Sequence, residues 1–149
     1  MNNKESLLVY LADDDEDDRM FFTDAVKQNS RSIHVDSSTN GEQLLQKVFN
    51  QDLLPDVVFL DLNMPRKNGL ECLQAIRANS TTQHIPIIII STSSAIENIR
   101  KANSYGANFY IQKPDDFFEL KRLIEIGIQF SLAERKEEDV FLLNEVLSA

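Results

Sequence analysis

Five times in succession, a short apolar run with strand character is followed by a longer run with helical spacing. The strand-like runs are residues 7–12 (LLVYLA), 32–37 (SIHVDS), 57–61 (VVFLD), 87–91 (IIIIS) and 107–112 (ANFYIQ). The helical runs are 18–29, 40–50, 69–79, 95–105 and 115–131, with apolar residues three and four apart, as in Leu44, Leu45, Val48 and Phe49. Strict alternation of this kind excludes most folds. It predicts an α/β domain, a doubly wound five-stranded parallel sheet with helices on both faces. The four consecutive isoleucines carry no in–out alternation, which predicts a strand covered on both sides. Gly106 is placed to end the fourth helix.

The length, 149 residues, suffices for one such domain, assigned to residues 1–131. Residues 132–149 are read as a C-terminal helical extension. Charges in its first half (ERKEED) precede a stripe of Val140, Phe141, Leu143 and Leu147. A stripe of that size either packs back on the domain or pairs with a second copy as a homodimer. The net charge of −9 repels phosphate backbones and argues against direct nucleic-acid binding. No apolar run approaches the ~20 residues of a membrane span, and residues 1–6 are polar, so a cytoplasmic protein without membrane attachment is expected. Cys72, the single cysteine, reads as a small buried hydrophobe.

In an open parallel sheet, ligands bind outside the carboxyl ends of the strands. The first strand ends in Asp13 and Asp14, the third in Asp61, the fourth in Ser91 and Thr92, and the fifth in Lys113, followed by Pro114. The second ends in Ser37, Ser38 and Thr39, which suggest only a turn. Gathered in one pocket, the carboxylates would repel by about 4 kcal/mol per close pair at an effective dielectric of ~20. They call for cations, and Mg²⁺, a hard ion that takes carboxylate, phosphate and water oxygens, answers that need. Asp61 is then a candidate nucleophile that becomes an aspartyl phosphate. Mg²⁺ on Asp13, Asp14 and Asp61, with the Lys113 ammonium, would offset the incoming charge. The Ser91 hydroxyl would meet a phosphoryl oxygen only after transfer, as the sensor of a switch does.

LADDDEDDR, DLNMPRKNGLE, IPIIIISTSS and GANFYIQKP, in that order and each at a strand end, resemble the receiver domain of bacterial two-component response regulators. The resemblance runs from about Leu7 to Phe130 and is strongest to short single-domain regulators, including those associated with phytochromes. It implies a flavodoxin-like (CheY-like) fold with strand order 2-1-3-4-5. By position, Asp61 would be the phosphoacceptor, Asp13 and Asp14 the metal-side acids, and the backbone carbonyl of Asn63 a further metal ligand. Lys113 would contact the phosphoryl group, Ser91 would be the switch hydroxyl and Tyr110 the aromatic that moves with it. The Lys113–Pro114 peptide would be cis. The implied function is a response regulator with self-catalysed phosphotransfer and dephosphorylation. It would take its phosphoryl group from a histidine kinase or a histidine phosphotransfer protein and signal to a downstream protein target.

Asp15 crowds the acidic pair; Asp13 and Asp14 are chosen because they directly follow the apolar strand. Residues 15–18 read as the acidic, solvated start of a helix. His34 and His84 fall outside the pocket. A phosphohydrolase would carry Asp-x-Asp, but Leu62 and Asn63 follow Asp61. A flavin-binding protein would need a hydroxyl- and glycine-rich loop where this chain has acids.

Overall fold

The computed structural model describes residues 6–29, 31–50, 53–133 and 140–148. Strands β1 (Ser6–Ala12), β2 (Ser32–Ser38), β3 (Val57–Leu60), β4 (Ile87–Ser91) and β5 (Phe109–Gln112) form one parallel sheet in the order β2-β1-β3-β4-β5. Helices α1 (Glu16–Lys27), α2 (Gly41–Asn50), α3 (Gly69–Ala78), α4 (Ile96–Ser104) and α5 (Phe117–Leu132) connect and cover the strands. A short helix α6 (Asn144–Ser148) follows.

Each central strand feeds two cores. Ile87 and Ile89 pack with Val58, Leu60, Leu44, Leu73 and Ile76 on one face. Ile88 and Ile90 pack with Phe59, Phe22, Leu123 and Ile128 on the other. No isoleucine of β4 is more than 3% exposed, which is why the run lacks polar alternation. Full burial of each contributes about 1.5–3 kcal/mol. β2, by contrast, is an edge strand, half exposed along most of its length, and its weak pattern follows from that position.

Caps set the helix starts. α1 begins two residues earlier than the apolar spacing suggests, because the Asp15 side chain accepts from the Asp18 N–H at 3.0 Å and closes the first turn. Asn68 and Glu71 form a reciprocal capping box at α3, and Asp116 caps α5.

One expectation needs correction. The Lys113–Pro114 peptide is trans, as are all peptides among the described residues. Trans is the lower-energy form even before proline, and Lys113 reaches the acids from it. The expected C-terminal extension carries a helix at Asn144–Ser148. Before that, Leu142 forms a parallel bridge with Tyr110 of β5. Pairing with the open edge of β5 satisfies backbone groups that a helix would leave beside an unpaired strand. The charged stretch at 134–139 lies outside the described residues. Among those that are described, no helix is long and apolar enough to cross a membrane.

Candidate functional site: an acidic pocket at the carboxyl edge of the sheet

β1 and β3 are adjacent, so the residues that follow them meet. Asp13 is 2% exposed and Asp61 7%, while Asp14 is exposed. One carboxylate oxygen from each of Asp13, Asp14 and Asp61 falls within 4.8 Å of the others. The backbone fixes this arrangement. The Asp61 N–H donates to the Ala12 carbonyl at 3.0 Å and the Asp13 N–H to the Ser38 carbonyl at 3.1 Å. The Arg19 guanidinium holds the Asp13 carbonyl at 2.9 Å.

Lys113 enters from β5. Its Nζ lies 2.8 Å from Asp13 Oδ2, 2.8 Å from Asp18 Oδ2 and 3.8 Å from Asp61 Oδ2. Burial alone would lower its pKa. Hydrogen bonds to Asp13 and Asp18, with the charges of Asp61 and Asp13, outweigh that and hold it above the ordinary lysine value. Asp61 has the opposite imbalance. Burial pushes its pKa up to about 7; the Lys113 charge pulls it down, the Asp13 charge pushes it up, and the Asn63 backbone N–H pulls it down. A carboxyl this high at rest is short of positive charge.

Ser91 is fully buried at the end of β4, and its Oγ accepts from the Ser93 N–H at 3.1 Å. The Tyr110 ring is buried, and its hydroxyl donates to the Ser93 carbonyl at 2.9 Å. The Lys113 N–H donates to the Ser91 carbonyl at 2.8 Å, binding the ends of β4 and β5 together. All the strand-end residues read from the sequence therefore converge at this edge of the sheet. Asp18 was not among them. In the sequence it belongs to a solvated helix start, yet it shares the Lys113 ammonium. The usable signal is the cap: Asp15 opens the helix, and a residue three positions later lies on the same turn, one turn from the strand end.

The response regulator receiver domain profile matches residues 9–125. The chain belongs to this family. A probable chemotaxis protein CheY of Rhizobium etli is 30% identical over 125 residues, a match covering 84% of this chain and 95% of that protein. A probable C4-dicarboxylate response regulator, DctR, of Priestia megaterium is 31% identical over 142 residues, covering 93% of this chain but 59% of the regulator. The match to the methanogenesis regulator FilR2 of Methanothrix harundinacea covers 46% of that protein. The chain thus spans less than two thirds of several longer curated relatives. Among solved structures, response regulator RPA3017 in red light signaling of R. palustris superposes with a TM-score of 0.78 at 28% identity, covering 87% of this chain and 96% of that one. The phosphorylated cyanobacterial phytochrome response regulator RcpA has a TM-score of 0.80 at 24% identity over the same shares; that likeness is one of fold.

Receiver domains bind Mg²⁺ through acidic residues, and the pocket of this receiver domain fits such an ion. Three hard oxygen donors are clustered within reach of one centre, and Asp61 is held protonatable by burial and by Asp13. The loop after Asp61 is pinned beside them. Arg66 and Lys67 adopt positive φ values of 54° and 94°, conformations that side chains disfavour. The Glu42 N–H donates to the Arg66 carbonyl at 3.0 Å, and the Asn68 cap holds the far end. Gly69 closes the loop, its N–H donating to the Leu62 carbonyl at 2.9 Å. A Cβ at Gly69 would collide with the Asp61 carbonyl. Gly69→Ala is therefore expected to lower the urea midpoint by the equivalent of about 1–3 kcal/mol and to slow phosphoryl uptake. An unchanged midpoint would show that the loop tolerates the shift.

Proposed function

We propose that Asp61 of this receiver domain accepts a phosphoryl group from the phosphohistidine of a histidine kinase or phosphotransfer protein, and that the resulting change is passed to a protein partner. The observation that carries the reading is the convergence of Asp13, Asp61 and Lys113 on one buried centre, with Lys113 Nζ 3.8 Å from Asp61. An Asp61 carboxylate oxygen attacks phosphorus; the new O–P bond forms as the donor P–N bond breaks. The histidine nitrogen leaves with the electron pair. Asp13, Asp14, Asp61 and the Asn63 backbone carbonyl would hold Mg²⁺, which when bound offsets the charge on the transferring oxygens. The Lys113 ammonium stands close enough to take one phosphoryl oxygen. The Ser91 hydroxyl, which accepts from the Ser93 N–H, would donate to another, and Tyr110, bonded to the Ser93 carbonyl, would follow through Ser93.

A protein phosphodonor is supported by the surface beside the pocket. A cavity of about 220 Å³ is bounded by Asp13, Asp18, Lys113, Phe21 and Phe117. Met20, Phe21 and Phe118 are more than half exposed, an apolar patch of the kind that marks protein contacts.

Incubation with Mg²⁺ and a small phosphodonor such as phosphoramidate should add the mass of one phosphoryl group, seen by intact-mass spectrometry. Chelation of the metal should prevent it. Uptake that persists at full rate with chelator present would remove the metal from the reaction.

The raised Asp61 pKa makes metal binding pH-dependent. The proton and the ion compete for the same carboxylate, so apparent Mg²⁺ affinity should fall as pH drops through about 7, approaching about tenfold per pH unit below it. In the metal-free protein the sign for stability is the opposite of a salt-bridged acid. The unfolded Asp61 ionises near 3.8 and the folded one near 7, so stability declines as pH rises between them. Calorimetric titration at pH 6 and pH 8 checks the first claim; equal affinities would contradict it.

A further inference from the structure

β5 is the last strand of the sheet, and its outer edge is taken by the C-terminal segment. Hydrogen bonds join the two. The Tyr110 N–H donates to the Phe141 carbonyl at 2.9 Å, and the Leu143 N–H to the Tyr110 carbonyl at 2.9 Å. The Asn144 side-chain amide then stands in for a backbone unit: its Oδ1 accepts from the Gln112 N–H at 2.8 Å and its Nδ2 donates to the Gln112 carbonyl at 2.9 Å. The side chains divide between the two faces of the sheet. Phe141 and Leu142 pack with the core that holds Tyr110, and the Phe141 and Tyr110 ring centroids are 6.4 Å apart. Leu143 is fully buried on the α5 face.

Leu143 fills a slot bordered by Gly127 of α5 and Ile88 of β4. A Cβ on Gly127 would stand 2.8 Å from Ile88 Cδ1 and 3.4 Å from Leu143 Cδ1, so Leu143 lies close against the α5 backbone there. Edge, slot and amide-binding backbone together make a site for an extended strand. The covering segment is short, and it is hydrogen-bonded to Tyr110 and Gln112 of β5. Short segments at a sheet edge open at lower free energy than the central strands. Tyr110 lies at the centre: its backbone holds the segment while its hydroxyl holds the Ser93 carbonyl, next to Ser91.

We propose that the outer edge of β5 is a partner-binding site that takes an extended peptide by strand addition, and that residues 140–144 occupy it in competition with that partner. The ligand is a protein segment with an aromatic residue, a leucine two positions on and a side-chain amide next to that leucine, as in Phe141, Leu143 and Asn144. This names the chemistry of the output partner and so rests on the reading of the chain as a switch with protein output.

The test runs on the full chain with no phosphodonor, so its failure leaves the Asp61 reading untouched. The probe is a fluorescein-labelled peptide of sequence VFLLNEVLS. Asn144→Ala removes both amide bonds to Gln112 and should speed hydrogen exchange of the Tyr110 and Gln112 amides at least tenfold. The β3 amides should keep their protection. Peptide binding, read by anisotropy, should tighten at least tenfold over the unsubstituted chain. Phe141→Ala, which leaves the carbonyl acceptor in place, serves as a second variant with the same expected direction. Three results would overturn the proposal. In the first, exchange is unchanged in both variants. In the second, exchange accelerates without any gain in peptide binding. In the third, mass doubles in light scattering, which would reserve the edge for a second copy.

Discussion

Asp61→Asn is expected to take up no phosphoryl group from any donor and at the same time to be more stable than the parent chain when metal is absent. The first result follows because an amide oxygen is too weak a nucleophile to replace the carboxylate. The second follows from the pocket's charge. Asp61 is 7% exposed, and burial and the Asp13 charge hold its pKa near 7. The neutral amide removes one of three crowded carboxylates without changing the shape of the site. The gain should be about 1–2 kcal/mol at pH 8 and should shrink as pH falls below 7, where Asp61 is itself protonated. Saturating Mg²⁺ should reverse the order, since the ion stabilises only the parent strongly. Intact-mass analysis reads the first result, and urea unfolding at pH 6 and 8, with and without Mg²⁺, reads the second. A variant that still gains a phosphoryl group would move the acceptor elsewhere; one that is less stable at pH 8 would show that Asp61 is already neutralised.

Lys113→Ala is expected to lose about 2–4 kcal/mol of stability at pH 8 and most of its rate of phosphoryl uptake. Removing the ammonium leaves Asp13, 2% exposed, with Asp61 beside it and no cation at 2.8 Å. Asp18 is more exposed and contributes little to the loss. The Lys113 pKa is raised from 10.5, so its contribution is complete below that value and is lost only as pH rises through the higher folded value. The deficit at pH 8 is therefore the full one. It should narrow as pH is lowered through the range where Asp61 takes up a proton, and Mg²⁺ should restore part of it. Removing one preorganised charge from a transferring group slows such reactions by about 10²–10³. Uptake at the parental rate in this variant would take Lys113 out of the reaction and leave it a purely structural role.

The fold was legible in the sequence because its determinants are local. The isoleucines of β4 had to be buried on both faces, and the strand ends had to carry whatever chemistry the chain performs. The residues offered at the strand ends were legible for the same reason: Asp13, Asp61, Ser91 and Lys113 each terminate an apolar run. Asp18 was not, since nothing within α1 distinguishes an acid facing water from one facing a lysine 95 residues away. The Lys113–Pro114 peptide was expected cis by resemblance and is trans.

The C-terminal segment shows where local reasoning stops. Its apolar residues could be counted from the sequence, and Asn144–Ser148 does form a helix. That Phe141 and Leu143 would pair with Tyr110 depended on the edge that β5 leaves open to them. Periodicity and burial demand by themselves determined the alternation, the two-faced core and the residues offered at each strand end. The tertiary structure alone decided which charges share Lys113 and what covers the last strand, because both depend on distances between segments far apart in the chain.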